Sequence, residues 1–400
     1  MNPQAHDDFR AGRRARATLG AYSLSNLLRG AARLDPHGPA VSGPLRRNSA
    51  ITQARFTYRE LDREADCAAR RLMARGLAPG ERVLVIGGAD PACLIALLGA
   101  ARAGLAVVMS HAGRGARDLA VIAAMSEAAA LIGAGDFPGL DFTGRLFEAA
   151  AHAAGVRLVA LYGAAPTDGA IALDAPEAEG EAPEAELPAD CGAFISVDSA
   201  RGSFALVPHQ TAALAAAALD LTARIEADGA APVLSLLAPL SFAGLSAGPI
   251  AAIVSGSPLR LCGLFGAQSF LAAADTAPAP HLIAPDALGP ALAEAGLLEP
   301  KQLASLTLLT RHQSGPALRG AREPAPLADC TVPLFDLIAL AEAAVLTRRR
   351  SGDPLAPETI AHYIDVDGEI VLACETRAAS GGGLDVRGLA VEDGDGWRSM

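Results

Sequence analysis

Residues Phe56–Ser110 read FTYRELDREADCAARRLMARGLAPGERVLVIGGADPACLIALLGARAGLAVVMS, and this stretch decides the fold class. Leu61, Ala65, Ala68, Ala69 and Leu72 recur at three- and four-residue spacing, while Arg59, Glu60, Arg63 and Arg70 take the other faces. That periodicity predicts a helix over Tyr58–Gly76. Thr57 is its N-cap, with Glu60 three residues on to complete a capping box. Gly76 ends the helix and Pro79-Gly80 turns the chain. Arg82–Ile86 (RVLVI) then reads as a buried strand, Ala92–Gly104 as a helix and Leu105–Met109 as a second strand. Strand, helix and strand at this spacing imply a mostly parallel sheet covered by helices.

Working outward, the pattern continues with a helix at Arg117–Met125, a strand at Ala129–Ile132, a helix at Gly144–Ala154 and a strand at Val156–Tyr162. Gly163–Asp190, which contains PEAEGEAPEAELP, is acidic, proline-rich and without an apolar face, as expected of a mobile surface connection. A second unit follows: strand Gly192–Val197, a loop to about Pro208, helix Gln210–Arg224 and strand Val233–Leu237. Helix Pro285–Ala295 precedes strand Leu306–Leu309. Tyr363–Val366 and Glu369–Cys374 flank Asp367-Gly368 as a β-hairpin. The expectation is an α/β protein with two mostly parallel, helix-flanked sheet subdomains. These are residues 1–190 (acidic connection 163–190) and 191–325, followed by a terminal helix and a β-rich subdomain at 326–400.

Composition narrows the function. Aromatic residues are only 4% of the chain, so Ala, Leu, Val and Ile must fill the core. A net charge of -11 opposes attraction to nucleic acid and anionic lipid. The runs Arg13-Arg14 and Arg348-Arg349-Arg350 read as solvated surface. The six cysteines form no CxxC pair, and no short histidine pattern marks a metal site. The N-terminus has no apolar signal region, and Ala212–Leu221 is too short to span a bilayer, so a cytoplasmic protein without membrane insertion is expected. Gly244–Gly248 fits GxSxG, but Pro239 and Ser241 break the preceding strand and place Ser246 within a helix rather than on a nucleophile elbow. Gly87-Gly88 and Gly381–Gly383 are turns without dinucleotide-site context.

The "T-Y-x-E-L" start, "G-L-x-P-G-x-R-V" centre and "A-x-x-A-G" end of Phe56–Ser110 resemble the opening of the adenylate-forming (AMP-binding) enzymes, which include acyl- and aryl-CoA ligases. The resemblance implies the fold of that family's large domain. It also implies carboxylate adenylation with ATP, followed by acyl transfer to a thiol such as CoA. The family's glycine-rich phosphate loop aligns with Ile195–His209, ISVDSARGSFALVPH. There Ser196 and His209 agree and Ser199 replaces a Thr conservatively. Asp198 stands where a phosphate-contacting Thr is expected, Gly202 replaces the Pro, and Ser203 the Lys. Val197, Ala200 and Phe204 replace glycines that would let the backbone approach phosphates. Leu237–Leu245 resembles "P-L-x-H-x-x-G-L", with Phe242 near the histidine position. Leu303–Leu309 runs into Thr310, Arg311 and His312 where small residues and glycines are expected. Leu337–Glu342 (LIALAE) is the placement of the motif "G-Y-G-x-T-E". It keeps only Glu342, which corresponds to a residue associated with Mg²⁺ in the family. On an otherwise apolar helix such a glutamate is ordinarily a surface residue. "G-E-I-V-L" at Gly368–Leu372 matches a late strand, and Asp393–Met400 approaches "G-W-x-x-T-G-D".

Losing the loop glycines and phosphate donors together points to a non-catalytic relative, a divergent large domain without the mobile C-terminal domain. Such a pseudoenzyme would serve as a ligand-binding or protein-docking scaffold, for an acyl or aryl group, a protein partner or a second copy of the chain. No catalytic residue is assigned on that reading. Its ligand-binding candidates are Ser196, Asp198, Ser199, His209, Phe242 and Glu342, with Glu342 also the candidate Mg²⁺ ligand. The alternative is a divergent acyl- or aryl-CoA ligase, completed by a partner or a further domain, which would use ATP, Mg²⁺ and CoA.

Overall fold

The computed structural model describes residues 14–47, 50–137, 139–165, 167–174, 186–189, 191–200, 203–263, 266–275, 277–312, 327, 330–350, 361–378, 384–391 and 398–399. Helices α1 (residues 14–20) and α2 (Leu24–Leu34) lead into a hairpin of β1 (Pro39–Arg47) and β2 (Ala50–Thr57). The chain then alternates through α3 (Tyr58–Ala74), β3 (Arg82–Gly87), α4 (Pro91–Arg102), β4 (Ala106–His111), α5 (Ala116–Met125), β5 (Ala130–Ala134), α6 (Phe142–His152) and β6 (Leu158–Tyr162). Strands β7 (Ile171–Ala172), β8 (Phe194–Ala200) and β9 (Ser203–Pro208) complete a seven-stranded sheet ordered β7-β6-β5-β3-β4-β8-β9. Every pairing in it is parallel except β8–β9.

The second layer begins with α7 (Thr211–Ile225) and β10 (Val233–Ser235). Helix α8 (Phe242–Leu245) continues through a π-helical turn (Ser246–Ile250) into α9 (Ala251–Ser255). After β11 (Leu259–Leu261) come α10 (Ala267–Ala274), β12 (His281–Pro285), α11 (Gly289–Glu294), β13 (Ser305–His312), β14 (Leu334–Leu340) and β15 (Ala344–Arg349). The eight-stranded sheet is ordered β15-β14-β13-β12-β10-β11-β1-β2, parallel inside and antiparallel at both edges. The β1–β2 hairpin, which carries no strong alternation in sequence, thus crosses from the first unit to edge the second sheet. An antiparallel sheet of β16 (Ala361–Val366), β17 (Glu369–Ala378), β18 (Leu384–Arg387) and β19 (Arg398–Ser399) closes the chain.

Three sequence expectations change. The span before Pro208 is not a loop but the hairpin β8–β9. Leu337–Glu342 is not helical: Leu337–Leu340 ends β14, and Glu342 stands in a tight turn to β15 in which Ala341 has φ 49°. Among the described residues of 326–400 there is no helix, because the apolar run LFDLIAL is buried between strands rather than on one helical face. Arg348 and Arg350 are not solvated either; both pair with Asp336, which is completely buried on β14. Gly202, Gly381–Gly383, Asp393–Trp397 and residues 166, 175–185 and 190 of the acidic connection lie outside the described residues.

Small side chains set the packing. All twelve residues of α4 are buried, and a Cβ on Gly99 would lie 2.6 Å from the Ala68 Cβ of α3. Two helices this close leave no room for a longer side chain, which explains a core with so few aromatics. Arg102, at the end of α4, is fully buried yet saturated. Its Nε donates to Ser25 Oγ at 2.8 Å, Nη1 to Asp66 Oδ1 and the Asp62 carbonyl at 2.7 Å each, and Nη2 to Asp62 Oδ1 at 2.5 Å. One guanidinium therefore pins α2, α3 and α4 together. Thr57 caps α3 in the reciprocal box with Glu60.

Asp90 caps α4, accepting from the Cys93 amide at 2.8 Å, and is 3% exposed. Burial outweighs the amide bonds from Cys93 and Ala92 and pushes its carboxyl up to about 7. An unfolded Asp titrates near 3.9, so between about pH 4 and pH 7 the folded chain holds the extra proton. Stability from this group is therefore full below about pH 4 and falls as pH rises through 7.

Two outcomes are expected in urea unfolding. Arg102→Ala strips the partner from two carboxylates and costs roughly 3–5 kcal/mol, whereas Thr57→Ala costs about 1 kcal/mol. Asp90→Asn keeps the cap but flattens the loss of stability between pH 4 and pH 7; an unchanged pH slope would refute the assignment.

Candidate active site

Ser196 lies on β8, in parallel register with Met109 of β4, and is completely buried. Its Oγ is 2.6 Å from Nε2 of His209, which follows β9 and precedes α7. The His209 ring meets Phe242 edge to face, with centroids 5.2 Å apart and planes at 84°. Phe242 opens α8, whose N-cap Ser241 accepts from the Gly244 amide. The Phe242 amide, a donor left over at the helix start, gives its hydrogen to Oε2 of Glu342 at 2.8 Å. Oε1 of Glu342 pairs with Arg311 of β13. Four of the six sequence candidates thus form one run of contacts, Ser196–His209–Phe242–Glu342. Glu342 and Arg311 lie at the carboxyl ends of β14 and β13, where open α/β sheets bind ligands. His209 also lines a cavity of about 150 Å³ with Tyr22, Phe194, Leu214 and Ile250.

Asp198 and Ser199 are part of the hairpin and separate from each other. Asp198 is opposite Ala205, on the same strand face as Ser196; Ser199 is opposite Phe204, on the other face. Where a glycine-rich loop is expected, extended chain pairs residue by residue from Ile195–Pro208 to Ala200–Ser203. The side chains that replaced glycines explain this. Val197 and Phe204, half-buried, pack against the apolar cluster under α5 and α6, which favours paired strands over an open loop.

Two arginines and a histidine join the site that motif reading alone did not select. The Arg114 guanidinium stacks 4.9 Å from the Phe204 ring centroid, and its buried Nε has no hydrogen-bond partner. His111 ends β4 with an exposed surface. Desolvation of the ring, then the charges of Arg114 and Arg311, hold it below the ordinary imidazole value. Arg311 is about half exposed, while Glu342 is nearly buried. The signal for all three was positional: His111 and Arg114 follow the end of a parallel strand, and Arg311 replaces an expected glycine.

The fit to a metal ion is poor. Both Glu342 oxygens are engaged, one by an amide and one by a guanidinium, and no group of three or more His, Cys, Asp or Glu among the described residues could hold a metal ion. Ser246 is occupied within its helix, donating to the Phe242 carbonyl at 2.8 Å, so the nucleophile-elbow geometry does not form. No helix of the described residues is long and apolar enough to cross a membrane.

Among solved structures, the chain is similar to apo MbtA of Mycobacterium smegmatis at 25% identity and TM-score 0.63, covering 94% of this chain and 68% of that one. It is similar to an acyl-CoA synthetase of Brucella canis at 18% identity and TM-score 0.63, covering 90% and 66%. The inhibitor-bound N-terminal domain of FACL13 from Mycobacterium tuberculosis matches at 18% identity and TM-score 0.68, covering 92% and 89%. These likenesses establish the architecture of the adenylate-forming large domain. A search of curated proteins found no match. The expectation of a large domain without the mobile C-terminal domain is corrected, because the region matched by the family model is followed by a small antiparallel C-terminal sheet, β16–β19. The family model described as "AMP-binding enzyme" matches residues 29–346, most of the chain, and the protein belongs to that family.

Proposed function

We propose that the chain is a divergent acyl- or aryl-CoA ligase that activates a carboxylic acid with ATP. The observation that carries this reading is the family match over 29–346, with Ser196, His209, Phe242 and Glu342 in contact at the strand ends. In such a reaction a carboxylate oxygen attacks the α-phosphorus, pyrophosphate leaves, and a thiol such as CoA then displaces AMP from the acyl adenylate. The chain's own residues bind and orient. His209, anchored by Ser196, forms one wall, and Phe242 excludes water from its edge. The guanidinium groups of Arg114 and Arg311, with the His111 ring held toward its neutral form beside them, face the negative charge that builds on phosphate oxygens. His209 also borders a cavity of about 150 Å³, shared with Tyr22, Phe194, Leu214 and Ile250 and not with Phe242, Arg311 or Glu342. Its size would suit a benzene-sized group, and small aryl and short acyl acids are therefore the first to test. Asp198 and Ser199 belong to the binding surface as hairpin residues, not as a phosphate cradle. The division into units at 1–190, 191–325 and 326–400 is part of the same proposal, with β1–β2 lending an edge to the second unit.

A second reading, a binding scaffold without turnover, is favoured by one observation: paired strands stand where pliable, amide-rich loop would hold a triphosphate. Carboxylate-dependent ATP–pyrophosphate exchange, measured over a panel of small aryl and short-chain acids with Mg²⁺ present, separates the two. The ligase reading expects exchange with at least one acid and its loss in His209→Ala. Nucleotide binding with no exchange across the panel would leave the scaffold.

A further inference from the structure

We infer that Arg311 takes the place of a divalent cation in this cleft, so that a phosphate or pyrophosphate group is bound there by arginine without metal. The inference rests on the nucleotide reading above and deepens it. Glu342 is the one carboxylate of the cleft turn, and its charge is already balanced. Oε2 accepts from the Phe242 amide, and Oε1 from Arg311. A divalent ion at Oε1 would have to expel a guanidinium and then sit beside it. Magnesium at a nucleotide site is held by one or two carboxylates together with phosphates and waters, and here both oxygens of the turn's carboxylate are already taken by an amide and a guanidinium.

Arg311 is built for the substitute role. A guanidinium carries five donors, and one contact with Glu342 leaves others to point outward from a side chain that is about half exposed. Its planar fork matches two phosphate oxygens at once. Glu342, nearly buried and held by the helix-start amide, fixes where that fork points. A second cation acts on the same His111 ring as Arg311. Arg114 rests on Phe204 of the hairpin with an unpartnered buried Nε, and Phe204 follows Ser203, the residue that the family resemblance aligns with a lysine. His111 sits within reach of both charges. Loss of the loop lysine and occupation of the metal carboxylate are thus matched by two arginines absent from the motif.

Calorimetric titration of the full chain with pyrophosphate, AMP and ATP, each in Mg²⁺ and in EDTA, tests this. The expected result is binding of pyrophosphate and ATP that persists in EDTA. In Arg311→Gln, affinity in EDTA falls by roughly tenfold or more, the scale of one or two lost charged hydrogen bonds. Arg311→Lys recovers part of it. Circular dichroism and melting of each variant guard against misfolding, and Arg114→Gln, from a different element, is expected to show the same metal-independent loss. Binding that vanishes in EDTA, or that survives Arg311→Gln, overturns the inference while leaving a Mg²⁺-dependent exchange reaction, and so the ligase reading, intact. Absence of binding to all three ligands in both buffers overturns the inference and removes nucleotide activation with it.

Discussion

The carboxylate of Glu342 is the constraint on which the cleft depends. It stands in a turn whose preceding residue, Ala341, is in the left-handed region that a residue with a Cβ seldom adopts. Such a turn persists only where its surroundings over-determine it. Here the Phe242 amide and Arg311 do so from two directions. Without Glu342, the first amide of α8 would be buried without an acceptor and Arg311 would lose its anchor. The same helix start presents the Phe242 ring to His209, and His209 is in turn fixed by Ser196. Positions of residues separated by more than a hundred places in sequence follow from this one side chain.

Much of the architecture was legible before any coordinates. The capping box at Thr57–Glu60, the strand RVLVI, the helix beginning near Pro91 and the Asp367-Gly368 hairpin each rest on local chemistry, and each stands where the periodicity put it. Four of the site candidates also meet, because motif spacing reports which strand ends face the cleft. What failed is what depends on partners distant in sequence. LFDLIAL reads equally as a buried helix or a buried strand. Only its neighbours, β13 on one side and β15 on the other, decide for a strand. The β1–β2 hairpin gave no signal because its role, edging the second sheet beside β11, is set by tertiary pairing.

The hairpin β8–β9 shows a different limit. Counting replaced glycines in Ile195–His209 registers what was lost but not what those residues do instead. Val197 and Phe204 are half-buried against the cluster below α5 and α6, and Phe204 becomes the platform for Arg114. A motif comparison scores Arg114 and Arg311 as departures or ignores them, since neither occupies a recognised position. Their charge becomes meaningful only when two strand ends from separate sheets are seen to act on the same His111 ring. The arginine pair at 348 and 350 makes the same point, for it neutralises a carboxylate that its own sequence neighbourhood does not contain.

Asp220, fully enclosed on α7, accepts from Arg224 Nε at 2.8 Å and from the Thr347 amide at 3.0 Å, and lies 3.2 Å from Nδ1 of His362 on β16. Helix α7 begins just after His209, so its far half is bolted to the terminal sheet while its near end abuts the cleft. A helix is stiff along its axis, and Asp220, about two turns from the start of α7, ties it by polar bonds to β15 and β16. The terminal sheet and the histidine wall thus share one rigid element, so the placement of His209 is set in part from the far edge of the fold.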